Sequence, residues 1–216
     1  MNDNIVGIIN YGVGNLRSVF RAVQYVGGKP KVSSCHKELM QCDKLILPGV
    51  GAYSQAMQEL KKLGLDETIY SFAAVGKPVL GICLGMQMLG LSSTEFSLTK
   101  GLALCDCKVT ELGELSQSKN IRLPHVAWAT IESKVFKTHW IFKGINKEDK
   151  FYFIHSFAVN QCEKNILGFS QYYDVKFASI IENANVIGTQ FHPEKSGTVG
   201  LKMLSNYISK KINHYE

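Results

Sequence analysis

The chain predicts an α/β fold: a mostly parallel, twisted sheet flanked by helices, with a smaller antiparallel extension. Three observations carry that expectation. Up to Gly90, short runs rich in Val, Ile and Leu alternate with amphipathic helical patterns. A cysteine flanked by glycines, Gly81-Ile82-Cys83-Leu84-Gly85, stands between one such run and a helical segment. Beyond Gly90 the pattern changes to shorter, more polar strands and loops, where the antiparallel part belongs.

Residues 5–10 read as the first strand. Residues 15–27 follow as a helix, with Leu16, Val19, Phe20 and Val23 on one face and Gly27-Gly28 as its stop. Residues 44–47 form a short strand running into Pro48, and 52–63 and 66–75 read as helices. The apolar run 78–82 is a buried strand, and a helix starts at Leu84. Further on, 152–157 is a strand, and 178–182 with 186–190 make a hairpin across Asn183-Ala184-Asn185. Ser196-Gly197 opens a last helix, with Leu201, Leu204, Ile208 and Ile212 on its buried face. There is no repeat, low-complexity tract or linker, so a single domain over residues 1–216 is expected.

The 216 residues suffice for one sizeable core, and 45% hydrophobic with 19% charged residues places the chain among soluble globular proteins. The net charge of +6 is scattered, with Lys61-Lys62 and Lys210-Lys211 only as pairs. That is a mildly basic surface suited to an acidic partner, and not a nucleic-acid footprint. None of the six cysteines forms a C-x-x-C unit. Cys105 and Cys107 would share a face on a strand, yet no further ligands stand at a metal-binding spacing, so reduced thiols and no metal are expected. The N-terminus lacks a basic start and an apolar signal core, and no apolar stretch approaches the ~20 residues that span a bilayer. A cytoplasmic protein without membrane contact is the expectation.

The glycine-flanked Cys83 fits a nucleophile elbow, the thiol counterpart of G-x-S-x-G. Such a turn is too tight for side chains on both sides, and the nucleophile occupies a strained backbone region. A helix N-terminus and a neighbouring imidazole both favour a thiolate. Phe191-His192-Pro193-Glu194 supplies the imidazole, and in an extended segment His192 and Glu194 point the same way. The carboxylate would hold the ring in one tautomer, as the acid of a Ser-His-Asp triad does. The alternative is a buried structural cysteine beside an unrelated His-Pro-Glu. Pro48-Gly49-Val50-Gly51 follows a strand, where α/β proteins place ligand loops; an ordinary tight turn is its alternative. Tyr11-Gly12-Val13-Gly14-Asn15 lacks the third glycine of a dinucleotide loop, since position 17 is Arg, so no nucleotide cofactor is expected. Asn15 there can be a helix cap.

Gly81-Ile82-Cys83-Leu84-Gly85-Met86-Gln87 with Gln190-Phe191-His192-Pro193-Glu194-Lys195-Ser196 resembles the class I (triad) glutamine amidotransferases, whose sheet is flavodoxin-like. Tyr11-Gly12-Val13-Gly14-Asn15-Leu16, Leu47-Pro48-Gly49-Val50-Gly51-Ala52 and Tyr152-Phe153-Ile154-His155-Ser156-Phe157 narrow the likeness to the glutaminase subunits of imidazole glycerol phosphate synthases. The resemblance implies a Cys83, His192, Glu194 triad that hydrolyses L-glutamine. It implies an oxyanion hole built from Gly49, Val50 and Gly51 with the N–H of Leu84, and substrate contacts from Gln87, Glu95, Ser156 and Phe157. It further implies a heterodimer with a (βα)8-barrel cyclase, met by Asn15, Arg21, Trp128, Tyr152 and Lys195. A solvated loop acid is the alternative for Glu95, and a buried aromatic for Trp128 and Tyr152. Two departures fall near the implied docking face: Asn10 stands where an acid is usual, and Pro124-His125-Val126-Ala127-Trp128-Ala129 replaces a Pro-His-Met-Gly-Trp-Asn type segment. They motivate a rival, a paralogous glutaminase feeding a sugar amidotransferase in surface-polysaccharide assembly. Further rivals are a stand-alone cysteine hydrolase and a catalytically dead interaction protein.

Overall fold

The computed structural model describes residues 4–118, 120–162 and 164–210. Strand β1 (Ile5–Ile9) leads through the Tyr11–Asn15 turn into helix α1 (Leu16–Tyr25). β2 (Lys29–Ser33), the short α2 (His36–Met40) and β3 (Lys44–Leu47) follow. Helices α3 (Tyr53–Lys62) and α4 (Leu65–Ala74) then lead to β4 (Val79–Ile82) and the short α5 (Leu84–Met88). The second half holds β5 (Ser92–Ser93), β6 (Thr99–Lys100), β7 (Lys108–Glu111), α6 (Leu112–Leu115), β8 (His125–Ala129), β9 (Phe151–His155) and β10 (Phe157–Gln161). It closes with β11 (Ile166–Tyr172), β12 (Val175–Asn183), β13 (Val186–Thr189) and α7 (Gly197–Ser209).

The main sheet runs β11-β12-β13-β4-β3-β1-β2. Its five strands from β13 to β2 are parallel, and β12 and β11 join antiparallel at one edge. Strands covered on both faces read as nearly continuous apolar runs. In β3, Leu45 and Leu47 pack into one buried cluster and Ile46 into the other; in β4, Val79 and Leu80 divide the same way. One cluster is completed by Val19 and Val23 of α1 and by Met203, Leu204 and Ile208 of α7; the other by α3 and α4 through Met57, Leu60, Ile69 and Phe72. Tyr207 ties α7 to the sheet, its hydroxyl donating to the carbonyls of Leu45 (2.7 Å) and Pro78 (3.0 Å). A four-stranded sheet, β10-β7-β5-β6, and the β8–β9 pair form the rest.

Several expectations need correction. The strand read over 152–157 is two strands broken at Ser156; β9 pairs with β8 and β10 with β7, so one apolar run serves two sheets. On the last helix Met203 and Tyr207 are buried while Leu201 is half-buried, and Ile212 lies outside the described residues. β2 carries two lysines and a proline, a composition that reads as loop but suits a sheet edge. The cysteines are not all free thiols: Cys107 and Cys162 are joined by a disulfide, with Cα atoms 4.4 Å apart. Their pairing follows from the β7–β10 ladder, whose last register pair, Lys108 with Gln161, sets the two cysteines opposite one another. No described helix is long and apolar enough to cross a membrane.

Candidate active site

The site forms where the carboxyl ends of three adjacent parallel strands meet. β3 delivers Pro48–Gly51, β4 delivers Cys83, and β13 leads to His192. Open α/β sheets bind ligands at this edge. Cys83 has φ 54° and ψ −110°, the strained conformation expected of an elbow. The flanking glycines make it possible. A Cβ on Gly81 would lie 2.7 Å from the backbone of Gly85, and one on Gly85 would land on the Leu47 carbonyl. Gly49 packs as closely, since a Cβ there would lie 2.6 Å from the Gly85 nitrogen. The Pro48–Gly51 loop therefore rests backbone to backbone on the elbow. Its other support is Tyr11, fully buried, whose hydroxyl donates to the Pro48 carbonyl at 2.8 Å. Burial, with the charge of Cys83 second, pushes the Tyr11 phenol up, so it stays a neutral donor.

His192 and Glu194 meet, though not through an extended segment. Pro193–Lys195 form a 3-10 turn capped by His192, and that turn brings Glu194 Oε1 to 2.8 Å from His192 Nδ1. Ser196 clamps the turn by donating to the His192 carbonyl at 2.6 Å while accepting from the Tyr152 N–H at 3.0 Å. Both triad side chains are almost wholly buried, and Glu194 Oε2 has no partner among the described residues. Cys83 stands near enough to the imidazole to strengthen its hold on a proton. Burial alone would push His192 down; hydrogen bonds to Cys83 and Glu194, and their charges, outweigh it and lift the ring to about 10. The ring thus keeps its proton at neutral pH. α5 has only five residues, so its dipole adds less than the sequence suggests.

A cleft of about 720 Å³ opens over the sulfur. It is lined by Val50, Gly51, Cys83, Leu84, Gln87, Glu95, Ser156, Phe157, His192 and Lys195, all named from the sequence. Gly49 lies beneath, against the elbow. Leu84, as first residue of α5, has no carbonyl one turn back for its N–H. Glu95 Oε2 accepts from the Tyr53 N–H at 2.6 Å, at the start of α3. Gln87 donates to the Phe157 carbonyl at 2.8 Å and to Gln190 Oε1 at 3.0 Å, so its amide nitrogen is held by the protein. Trp128 and Tyr152 face each other across β8 and β9, with ring centroids 5.7 Å apart and Trp128 exposed. Neither lines the cleft, although Tyr152 is tied to its wall by accepting the His192 N–H. Asn15 caps α1 through the Ser18 N–H, and Arg21 is exposed on α1; neither lines the cleft.

Residues beyond those marked by the sequence also converge here. Glu111, Glu114, Thr94, Phe96, Ile154 and His155 line the cleft. Gln190, fully buried, donates to Cys83 Sγ at 3.7 Å. His155 donates through Nδ1 to the Phe157 carbonyl (2.9 Å) and meets His125 Nδ1 at 3.0 Å. Burial, joined by repulsion from His125, pushes His155 down to about 3, and burial pushes His125 down to about 4. Of these, Ile154, His155 and Gln190 stand inside motifs visible in the sequence, but nothing in spacing marks their partners.

Comparison with known proteins agrees with this geometry. The family model described as glutamine amidotransferase class-I matches residues 7–210. The imidazole glycerol phosphate synthase subunit HisH of Methanosarcina barkeri is 43% identical over 203 residues, covering 93% of this chain and 96% of that protein. The HisH protein of Caldanaerobacter subterraneus is also 43% identical, covering 94% and 97%. Among solved structures, PurLQS from Thermotoga maritima aligns with TM-score 0.71 at 18% identity, over 94% of this chain and 96% of that one. A glutamine amidotransferase from Thermotoga maritima aligns with TM-score 0.59 at 19% identity, over 90% and 77%. At those identities the structures speak for the fold alone. A match spanning nearly the whole described chain, with curated relatives this similar over almost their full length, means that the chain belongs to the class I glutamine amidotransferase family.

Proposed function

We propose that the chain is the glutaminase subunit of an imidazole glycerol phosphate synthase, acting in histidine biosynthesis. The observation that carries the chemistry is the buried His192–Glu194 pair, 2.8 Å apart, at a cleft that Cys83 also lines. The similarity to HisH subunits supports the pathway. The sulfur anion attacks the side-chain carbonyl of L-glutamine, forming the C–S bond and a tetrahedral oxyanion. N–H groups of Leu84 and of the Gly49–Gly51 loop stabilise that oxygen. His192 gives its proton to the departing nitrogen as the C–N bond breaks, releasing ammonia and leaving a thioester. Neutral His192 then takes a proton from water, the resulting hydroxide attacks, and glutamate leaves as the sulfur anion returns. Glu194 steadies the imidazolium throughout. Glu95, Glu111 and Glu114 give the cleft negative charge for the substrate's ammonium, while Gln87 keeps its Oε1, and Ser156 and Phe157 their backbone, for the substrate's polar groups.

Ammonia released to water would become ammonium and cease to be a nucleophile, so the partner must cover the exit. Val126, Trp128 and Ile154 form an exposed apolar patch on the β8–β9 pair, beside Tyr152 and Lys195. This face, with Asn15 and Arg21, would receive the barrel cyclase in a cytoplasmic heterodimer. The test is co-purification with candidate synthases and a glutamate-release assay on each pair. A histidine-pathway cyclase should activate release; activation only by a sugar amidotransferase would move the chain to that pathway. Within the active pair, Cys83→Ala should abolish glutamine-dependent synthesis and leave ammonia-dependent synthesis intact. Loss of both would argue against a separate ammonia-generating role.

A further inference from the structure

We propose that Gln190 is a positioning residue for the nucleophile: its amide N–H holds the Cys83 sulfur anion, in an orientation imposed by the Phe157 carbonyl through Gln87. This role rests on the glutaminase reading above and adds a residue to it. The case is one of donors and acceptors. A carbonyl oxygen only accepts, so the Gln87 atom 2.8 Å from Phe157 O must be its nitrogen. That nitrogen has a second hydrogen, and the Gln190 atom 3.0 Å from it must be an acceptor, Oε1. The other end of the Gln190 amide, its NH2 group, then faces Cys83 Sγ at 3.7 Å. Flipping Gln190 would set two NH2 groups against each other in the protein interior, since Gln190 is fully buried and Gln87 nearly so. His155 Nδ1 pins the same carbonyl from its other side at 2.9 Å.

Besides the imidazole, the sulfur has two protein partners of opposite preference. The Ile154 carbonyl, 3.8 Å away, accepts only from an S–H. The Gln190 amide donates, and a donor favours the anion. Gln190 does not line the cleft, so it acts on the sulfur and not on the substrate.

The experiment follows iodoacetamide alkylation of Cys83 against pH in the full chain, read by mass spectrometry of the Cys83 peptide, for wild type, Gln190→Met and Gln87→Leu. Exposed Cys35 serves as the internal control. Loss of one such donor should move the Cys83 profile to higher pH by about half to one unit, the Cys35 profile staying in place. In the complex, the acid limb of the kcat profile should move up by the same half to one unit, so that kcat falls about three- to tenfold on that limb and recovers at higher pH, with KM for glutamine little changed. Gln87→Leu frees the Gln190 amide to turn and should shift the Cys83 profile the same way, even where Gln190→Met does not fold. An unshifted profile in a folded variant, or a kcat loss equal at all pH values, overturns the proposal. If Cys83→Ala still hydrolyses glutamine, the triad reading fails instead, which separates the two.

Discussion

At the scale of single residues, the site turns on where one proton sits. His192 is lifted to about 10 against the pull of burial, because Cys83 and Glu194 both favour its charged form. Glu194 does this with one oxygen only, 2.8 Å from the ring, its second oxygen being buried without a partner among the described residues. Glu194→Gln keeps that shape, since the amide oxygen can still accept from Nδ1, but removes the charge. The kcat of the complex should then fall on the order of a hundredfold or more, with KM for glutamine little altered. Steady-state kinetics on the complex would check it; a loss of only a few-fold would mean that geometry and not charge is what Glu194 contributes. The triad was legible because its members sit in two short motifs whose spacing has a physical reason. Gln190 lies two residues before His192 and was not, because its meaning depends on Gln87, 103 residues away in the chain.

Among elements, what matters is how closely backbones approach. The β3 segment with its loop and the β4–α5 elbow touch where Gly49 and Gly85 have no side chains. Gly85→Ala would drive a methyl group into the Leu47 carbonyl, a backbone atom of a central strand that cannot rotate away. We expect a loss of about 2 kcal/mol or more in denaturant unfolding, of the size found for overpacked cores, and a loss of turnover beyond it, because the oxyanion loop moves with β3. A stable variant with full activity would sink this account of the elbow. The elements of the first half were readable because strands covered on both faces are nearly continuous apolar runs and helices show one apolar stripe. Those of the second half were less so. β2 hides behind lysines at a sheet edge, β5 and β6 have two residues each, and the break at Ser156 leaves no mark on an apolar run. The Cys107–Cys162 pairing likewise depends on a ladder between residues 55 apart, beyond any local cysteine spacing.

For the whole molecule, the parallel order of the central strands was enough to place the site, since β3, β4 and β13 are neighbours and end on one edge. What the sequence did not reveal is that the wall opposite is built over a buried histidine pair. His125 stacks between Tyr172 and Phe153, with Phe177 edge-on, and His155 lies against His125 and Phe177 with His192 near enough to repel a second charge. Both rings are held neutral, pushed down to about 4 and about 3 chiefly by burial. The consequence for stability has a definite sign. Below the ordinary histidine value of about 6.5 the unfolded chain takes up protons at these positions and the folded chain does not, so unfolding is favoured as pH falls. The penalty begins near pH 6.5, grows through pH 5, where it is at most about 2 kcal/mol for each ring, and levels off only below the folded values. His192, protonated in both states below about pH 5.5, adds no slope there; nearer neutrality the unfolded chain loses that proton first, which opposes the trend. Urea unfolding between pH 4 and 6 should therefore show stability rising with pH, more steeply in wild type than in His125→Phe, which keeps the stack and removes one titrating ring. Equal slopes would mean that the pair takes up protons in the folded chain, and that the wall of the cleft opens to water as it does so.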